Sequence, residues 1–328
     1  MIISKTPLRA SFFGGGTDFK DYYENSQYGY GVALSTTLDM YVYIMVCKRF
    51  DGCIRVCYRK QELVESVDEI EHNIVREALK MAGIEKGIDV VYSADIPIST
   101  AGVGLASSSA FAVGILNALY AYKGIHITQK ELARKACEIE IEHMDNPIGI
   151  QDQYAVSYGG FRQYSFWRDG EVTAEPVICG KDTIEELRRK LMMFYTGITR
   201  ISSDILSEQK KSISDNMGLL DALVYLEKEA YDKLCERKVD SWGKLLDKAW
   251  NIKKKMSSGI SNGEIDTMYE KAISAGAEGG KVLGAGGGGF LLLFVPEDKQ
   301  QNVRTALSEY REMAVHFETA GSRVIFSE

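Results

Sequence analysis

Glycine gathers in three short stretches, FFGGGTD (12–18), AGVGLASSSA (101–110) and GAGGGGF (284–290), in a chain of 328 residues. Glycine enters backbone conformations closed to other residues and lets one stretch of backbone come close to another or to a ligand. Each run therefore marks a turn or a close approach between the apolar segments that flank it.

None of the three fits the lysine-bearing loop GxxxxGK[ST]. The glycine–lysine pairs at 180–181, 243–244 and 280–281 all lack a glycine five residues before the second one. Residues 284–289 do spell GxGxxG, but they lead into the strand-like FLLLFV instead of opening a helix, so a dinucleotide fingerprint there is a coincidence of composition.

Residues 101–110 are better placed. They follow an extended segment and Pro97, offer Gly102 and Gly104 for close backbone approach, and run through Ser107, Ser108 and Ser109 into an apolar helix over 110–122. The free N–H groups and dipole of a helix amino terminus act as about half a positive charge, so an anion there does not require a lysine. Two readings stand side by side: the serines cap the helix, or they help hold a phosphate with a metal ion supplying further charge.

Carboxylates supply the next clue. In RKACEIEIEHMDN (134–146), Ala133, Ala136, Cys137 and Met144 define one helical face, and Glu140 falls on it while Glu138 and Glu142 point away. A carboxylate on a packed face needs a cation, either Mg²⁺ or a basic side chain. Asp152 follows the turn NPIGI, where a carboxylate projects into a cleft or simply starts a helix. Arg9 and Asp18 flank the first glycine run. An arginine beside a catalytic carboxylate keeps it ionised, and the alternative is a surface ion pair.

The segments 39–50, 53–59 and 87–97 read as strands and 69–83 as a helix stopped at Gly83. Thr128 and Glu131 form a capping-box pattern opening a second helix after 110–122. A polar stretch broken by Pro176 and Gly180 precedes the strand 190–197, which divides the chain into 1–185, a mixed α/β unit, and 186–328, an α+β unit of helices over an antiparallel sheet ending in a strand pair.

With 39 Lys and Arg against 46 Asp and Glu, the net charge of −7 argues against a nucleic-acid partner. No cleavable leader and no apolar run of membrane-spanning length are visible, so a cytoplasmic protein without a membrane partner is expected. Six cysteines without CxxC spacing and four scattered histidines make no zinc template.

Together, PLRASFFGGGTDF (7–19), PISTAGVGLASSSA (97–110) and VLGAGGGGFLLLF (282–294), in this order, resemble the signatures of the galactokinase, homoserine kinase, mevalonate kinase and phosphomevalonate kinase superfamily. The resemblance spans nearly the whole chain. It implies a two-domain fold with a ferredoxin-like second domain, ATP and Mg²⁺ as cofactors, and in-line phosphoryl transfer. By it, Gly102, Val103, Gly104, Leu105, Ala106, Ser107, Ser108 and Ser109 wrap the triphosphate, and Ser108 and Glu140 coordinate the metal. Asp152 becomes the base with Arg9 beside it, and the late glycine run closes the cleft from the second domain.

Where galactokinases carry a glutamate and a histidine before the threonine–aspartate pair, this chain has Gly15 and Gly16. FGGGTD is similar to the members of that superfamily that take D-glycero-D-manno-heptose 7-phosphate and phosphorylate its anomeric oxygen. By that likeness Gly15, Gly16, Thr17 and Asp18 line the sugar site, and a sugar phosphate needs a cation, for which Arg200, Arg162 and Lys20 are candidates. Two alternatives remain open: a kinase for an unphosphorylated sugar such as fucose or galactose, and a non-catalytic member that senses a ligand.

Overall fold

The computed structural model describes residues 1–96, 104–199 and 202–328. Strands β1 (Ile2–Phe13) and β2 (Tyr30–Lys48), joined through the single helical turn α1 (Lys20–Tyr23), form the antiparallel centre of a nine-stranded mixed sheet. Pro7, which has no N–H to give the ladder, sits where the β1–β2 register shifts. β3 (Ile54–Cys57) and β4 (Gln61–Val64) make a hairpin, and β3 runs parallel to β5 (Ile88–Ala94) after a crossover through α2 (Asn73–Ala82). As expected, α2 ends at Gly83, which takes a left-handed φ of 62°.

Helix α3 (Ser107–Tyr122) packs on β1 and β2 and buries nearly every side chain from Ser109 to Leu119, which is why it carries apolar residues on all sides. α4 (Gln129–Cys137) opens with the Thr128–Glu131 capping box. The expected continuous helix through residue 146 is not formed: a π-helical turn takes over at 138–143 and carries Glu140, and α5 (Gln151–Tyr158) follows. β6 (Arg162–Trp167) pairs with the first part of β2, and β7 (Val172–Pro176) pairs with β6.

After α6 (Lys181–Arg189), β8 (Leu191–Tyr195) begins a second sheet. Four helices follow, α7 (Ser202–Lys211), α8 (Met217–Cys235), α9 (Trp242–Lys253) and α10 (Gly263–Ser274). Then come β9 (Gly279–Val282), β10 (Phe290–Phe294), α11 (Gln300–Ala306) and β11 (Arg311–Met313). The sheet is antiparallel throughout with the order β11-β8-β10-β9, so its first strand in sequence lies between its last and third, the ferredoxin-like arrangement.

The final strand pair departs from the expected division. β12 (Phe317–Glu318) pairs with β2 and β13 (Arg323–Ser327) with β1, so the end of the chain returns to the first sheet. Alternation identifies a strand but carries no record of its partner, and the open edge of β1 was available. No helix among the described residues is long and apolar enough to cross a membrane.

The two halves touch through glycine. Gly104 has φ +80°, and a Cβ on it would lie 2.1 Å from the Leu283 carbonyl oxygen. A Cβ on Gly284 would lie 2.6 Å from the Gly104 Cα. Gly124 has a similar φ, +70°, but open space around it. Gly124→Ala is therefore expected to cost about 1–2 kcal/mol, the left-handed backbone term alone, and Gly104→Ala at least about 3 kcal/mol once the clash is added. Urea unfolding of both variants checks this, and equal losses would mean that the two loops do not press together.

Candidate active site

A cavity of about 340 Å³ opens where the three glycine stretches meet. Arg9 of β1 reaches into it from below the second stretch. Its Nε and one terminal nitrogen donate to the two carboxylate oxygens of Asp152, at 2.8 and 2.6 Å, and its other terminal nitrogen donates to the Gly104 carbonyl at 2.7 Å. The Arg9 side chain is 3% exposed and that of Asp152 26%, so this is a built, bidentate pair with one face of the carboxylate open, not a surface contact.

Asp152 lies in the first turn of α5, and that turn is tied to the first glycine run. The Ile150 N–H donates to the Asp18 carbonyl, the Gln151 N–H to the Asp18 carboxylate, and the Ser11 hydroxyl to the Gln151 side chain. Asp18 is buried and accepts also from the Gly16 N–H at 3.0 Å. Burial first, and the nearby Asp152 charge second, push its carboxyl above the ordinary carboxylate range. Gly15 and Gly16 line the cavity as expected. Thr17 does not: it is fully buried, its hydroxyl lying within donating distance of the Gly14 and Val32 carbonyls and accepting from the Val32 N–H. Thr17 holds the turn in shape instead of facing a ligand.

In the same cavity, the serines of the second stretch do not cap α3. Ala106, at φ 63°, is the N-cap residue, and no side chain caps the helix. Ser108 donates to Glu140 Oε1 at 2.5 Å, and Gln153 donates to Oε2 at 2.6 Å. The Ser107 hydroxyl is buried with no partner among the described residues. Glu140 is 1% exposed, and burial drives its carboxyl upward against the hydrogen bonds from Ser108, Ser109 and Gln153. Ala106, Ser107, Ser108 and Ser109 all line the cavity, whereas the Leu105 side chain is buried in the core and only its carbonyl contributes, accepting from the Arg9 N–H. Gly102, Val103 and Arg200 lie outside the described residues.

These groups fit a magnesium ion. Mg²⁺ usually takes only one or two protein carboxylates alongside phosphates and water. Among the described residues no group of three or more His, Cys, Asp or Glu could hold a metal, and in this cavity Glu140 stands beside the Ser108 hydroxyl.

The cavity also contains residues that the motifs did not announce. Lys253, the last residue of α9, donates to the Gly15 carbonyl and to Gln209, both at 2.9 Å. Lys281 of β9 donates to the Phe12 carbonyl at 3.2 Å. Both are under 10% exposed. Burial lowers Lys253 to about 8, with Asp18 opposing, and lowers Lys281 to about 7, with Lys253 and Arg9 adding to the fall. Lys253 was findable by the register that singled out Glu140, since Leu246, Ala249 and Trp250 lie seven, four and three residues before it and are all buried. Of the cations proposed from sequence, Arg162 is turned to the Gly159 and Ala174 carbonyls and Lys20 is exposed beside Glu24. His72, Ile74 and Phe111 give the cavity an apolar end, with the His72 and Phe111 rings stacked at 4.9 Å.

Residues 61–160 match the GHMP kinases N terminal domain and residues 230–312 the GHMP kinases C terminal domain. The D-glycero-alpha-D-manno-heptose 7-phosphate kinase of Campylobacter jejuni is 30% identical over 324 residues, 93% of each chain. The galactokinase of Pyrococcus furiosus is 25% identical over 94% of this chain and 93% of its own. The crystal structure of a D-glycero-D-manno-heptose 1-phosphate kinase from Bacteroides thetaiotaomicron superposes with a TM-score of 0.81 over 100% of both chains at 23% identity, which speaks for the fold.

A lysine whose folded pKa lies near 7 and whose unfolded pKa lies near 10.4 disfavours folding most when charged in both states. That cost is complete at pH 7 and below and fades as pH rises to about 10. Lys281→Met is therefore expected to stabilise the ligand-free protein, with a gain in melting temperature that is full near pH 6 and shrinks steadily toward pH 10. A gain independent of pH would show that Lys281 titrates as an exposed lysine does.

Proposed function

This chain belongs to the GHMP kinases, and we propose that it is an ATP-dependent sugar kinase that transfers the γ-phosphoryl group of ATP to the anomeric hydroxyl of D-glycero-D-manno-heptose 7-phosphate, giving the 1,7-bisphosphate. The observation that carries this assignment is the clamp in which Arg9 holds both oxygens of Asp152 and, with its remaining nitrogen, the carbonyl of Gly104. It fixes a proton acceptor relative to a phosphate-binding helix terminus, and phosphoryl transfer depends above all on such positioning.

In this mechanism Asp152 takes the proton of the anomeric hydroxyl as the sugar oxygen attacks the γ-phosphorus in line with the departing ADP. Arg9 keeps the carboxylate oriented. The N–H groups at the start of α3 and the unpartnered Ser107 hydroxyl meet phosphate oxygens. Mg²⁺, held by Ser108 and Glu140 when bound, neutralises charge on the phosphates. His72, Ile74 and Phe111 receive the base. Asp18 accepts hydrogen bonds from sugar hydroxyls, and Gly15 and Gly16 leave room for a seven-carbon sugar. Residues 1–185, joined by the returning strands β12 and β13, serve as the nucleotide-binding unit, and the second sheet with its helices as the unit that closes on it. A cytoplasmic setting, where ATP is the available donor, goes with this assignment.

The likeness to the Campylobacter jejuni enzyme favours heptose 7-phosphate, while the Pyrococcus furiosus relative keeps unphosphorylated galactose as the alternative. Phosphorus NMR after incubation with ATP, Mg²⁺ and each sugar separates them. A new anomeric phosphate is expected with heptose 7-phosphate, and Asp152→Asn is expected to lower kcat by about 10²–10⁴, the range for losing a general base. Preferred turnover of free galactose or fucose would overturn the substrate, and full activity in Asp152→Asn would overturn the base.

A further inference from the structure

Lys253 and Lys281 enter one cavity from different elements, the end of α9 and the middle of β9, and both are more than nine-tenths buried. Every acceptor they meet is neutral: the Gly15 and Phe12 carbonyls and the Gln209 amide oxygen. An ammonium has three donors. Among the described residues Lys253 uses two and Lys281 one, which leaves three N–H groups for the cavity. Asp18 is close enough to favour charge on Lys253, but the charges nearest Lys281 are Lys253 and Arg9, and Arg9 already spends its own charge on Asp152. Two buried cations with spare donors and only one nearby carboxylate are costly unless an anion completes them.

We propose that Lys253 and Lys281 form a phosphoryl-binding site, a pair of ammonium groups that together take the oxygens of a phosphate dianion. The site rests on the assignment of this cavity to a nucleotide and a sugar phosphate, and it answers a want in the phosphate loop, which has no lysine of its own. Two sources present the same chemistry. Lys253 lies 3.2 Å from where a Cβ on Gly16 would be, beside the space the glycine run leaves open, which suits a phosphate carried by the acceptor. Lys281 lies two residues before Leu283, whose carbonyl presses on Gly104, and its nearest cationic neighbours include Arg9, which suits the phosphoryl group in transit.

Calorimetric titration of wild type, Lys253→Met, Lys281→Met and the double variant with Mg²⁺-AMPPNP, Mg²⁺-ADP, D-glycero-D-manno-heptose 7-phosphate and inorganic phosphate tests this. The Met variants are expected to melt at or above the wild-type temperature while losing at least tenfold in affinity for one phosphate ligand. Loss confined to heptose 7-phosphate identifies the acceptor's phosphate. Loss for Mg²⁺-AMPPNP with Mg²⁺-ADP unchanged identifies the transferred group. If wild type does not bind heptose 7-phosphate, the substrate assignment fails alone, and loss of inorganic phosphate binding in the double variant still supports the site. Unchanged affinity for all four ligands overturns the proposal, as does a Met variant that melts below wild type, since the lysines would then be structural.

Discussion

The arrangement depends on one guanidinium. Arg9 is rooted in the central strand of the larger sheet, its main-chain N–H is held by Leu105, and its side chain joins Asp152 to Gly104. A buried ion pair of this kind adds little to stability, because desolvating two charges offsets much of their attraction. What it provides is geometry. The planar fork fixes the carboxylate in orientation as well as in distance, which lysine at this position would not do. The α5 turn that carries Asp152 is in turn tied to the Asp18 loop, so three segments far apart in sequence share one frame.

Around that frame the cavity separates charge. It holds the carboxylate Glu140 with a hydroxyl and an amide as partners, fit for a cation, and two ammonium groups from other elements with neutral partners, fit for an anion. In water such groups would be screened. Here each is buried, and burial raises Glu140 while lowering Lys253 and Lys281, so every one of them is held in a state that a ligand of opposite charge relieves. Charges left incompletely satisfied in this way suit a highly charged partner.

Much of this was legible in the chain before folding. The glycine runs at 12–18 and 284–290 do converge with the described part, 104–110, of the middle one, and Glu140 could be placed by helical register alone, although the turn that carries it proved π-helical. The same register reaches Lys253. Lys281 is harder: all four residues of β9 are buried, so no alternation marks one of them as special. The return of β12 and β13 to the first sheet was invisible because pairing is a long-range property. Thr17 was misplaced because its motif names the loop and not which way each side chain turns.

A crystal structure of the complex with Mg²⁺-AMPPNP and D-glycero-D-manno-heptose 7-phosphate tests most directly the claim that one cavity unites base, metal site and ammonium pair. Mg²⁺ is expected on Ser108 and Glu140, the Asp152 carboxylate within about 3 Å of the anomeric oxygen, and a phosphate oxygen on Lys253 or Lys281. Metal bound away from Glu140, or an anomeric oxygen facing any group other than Asp152, would contradict it.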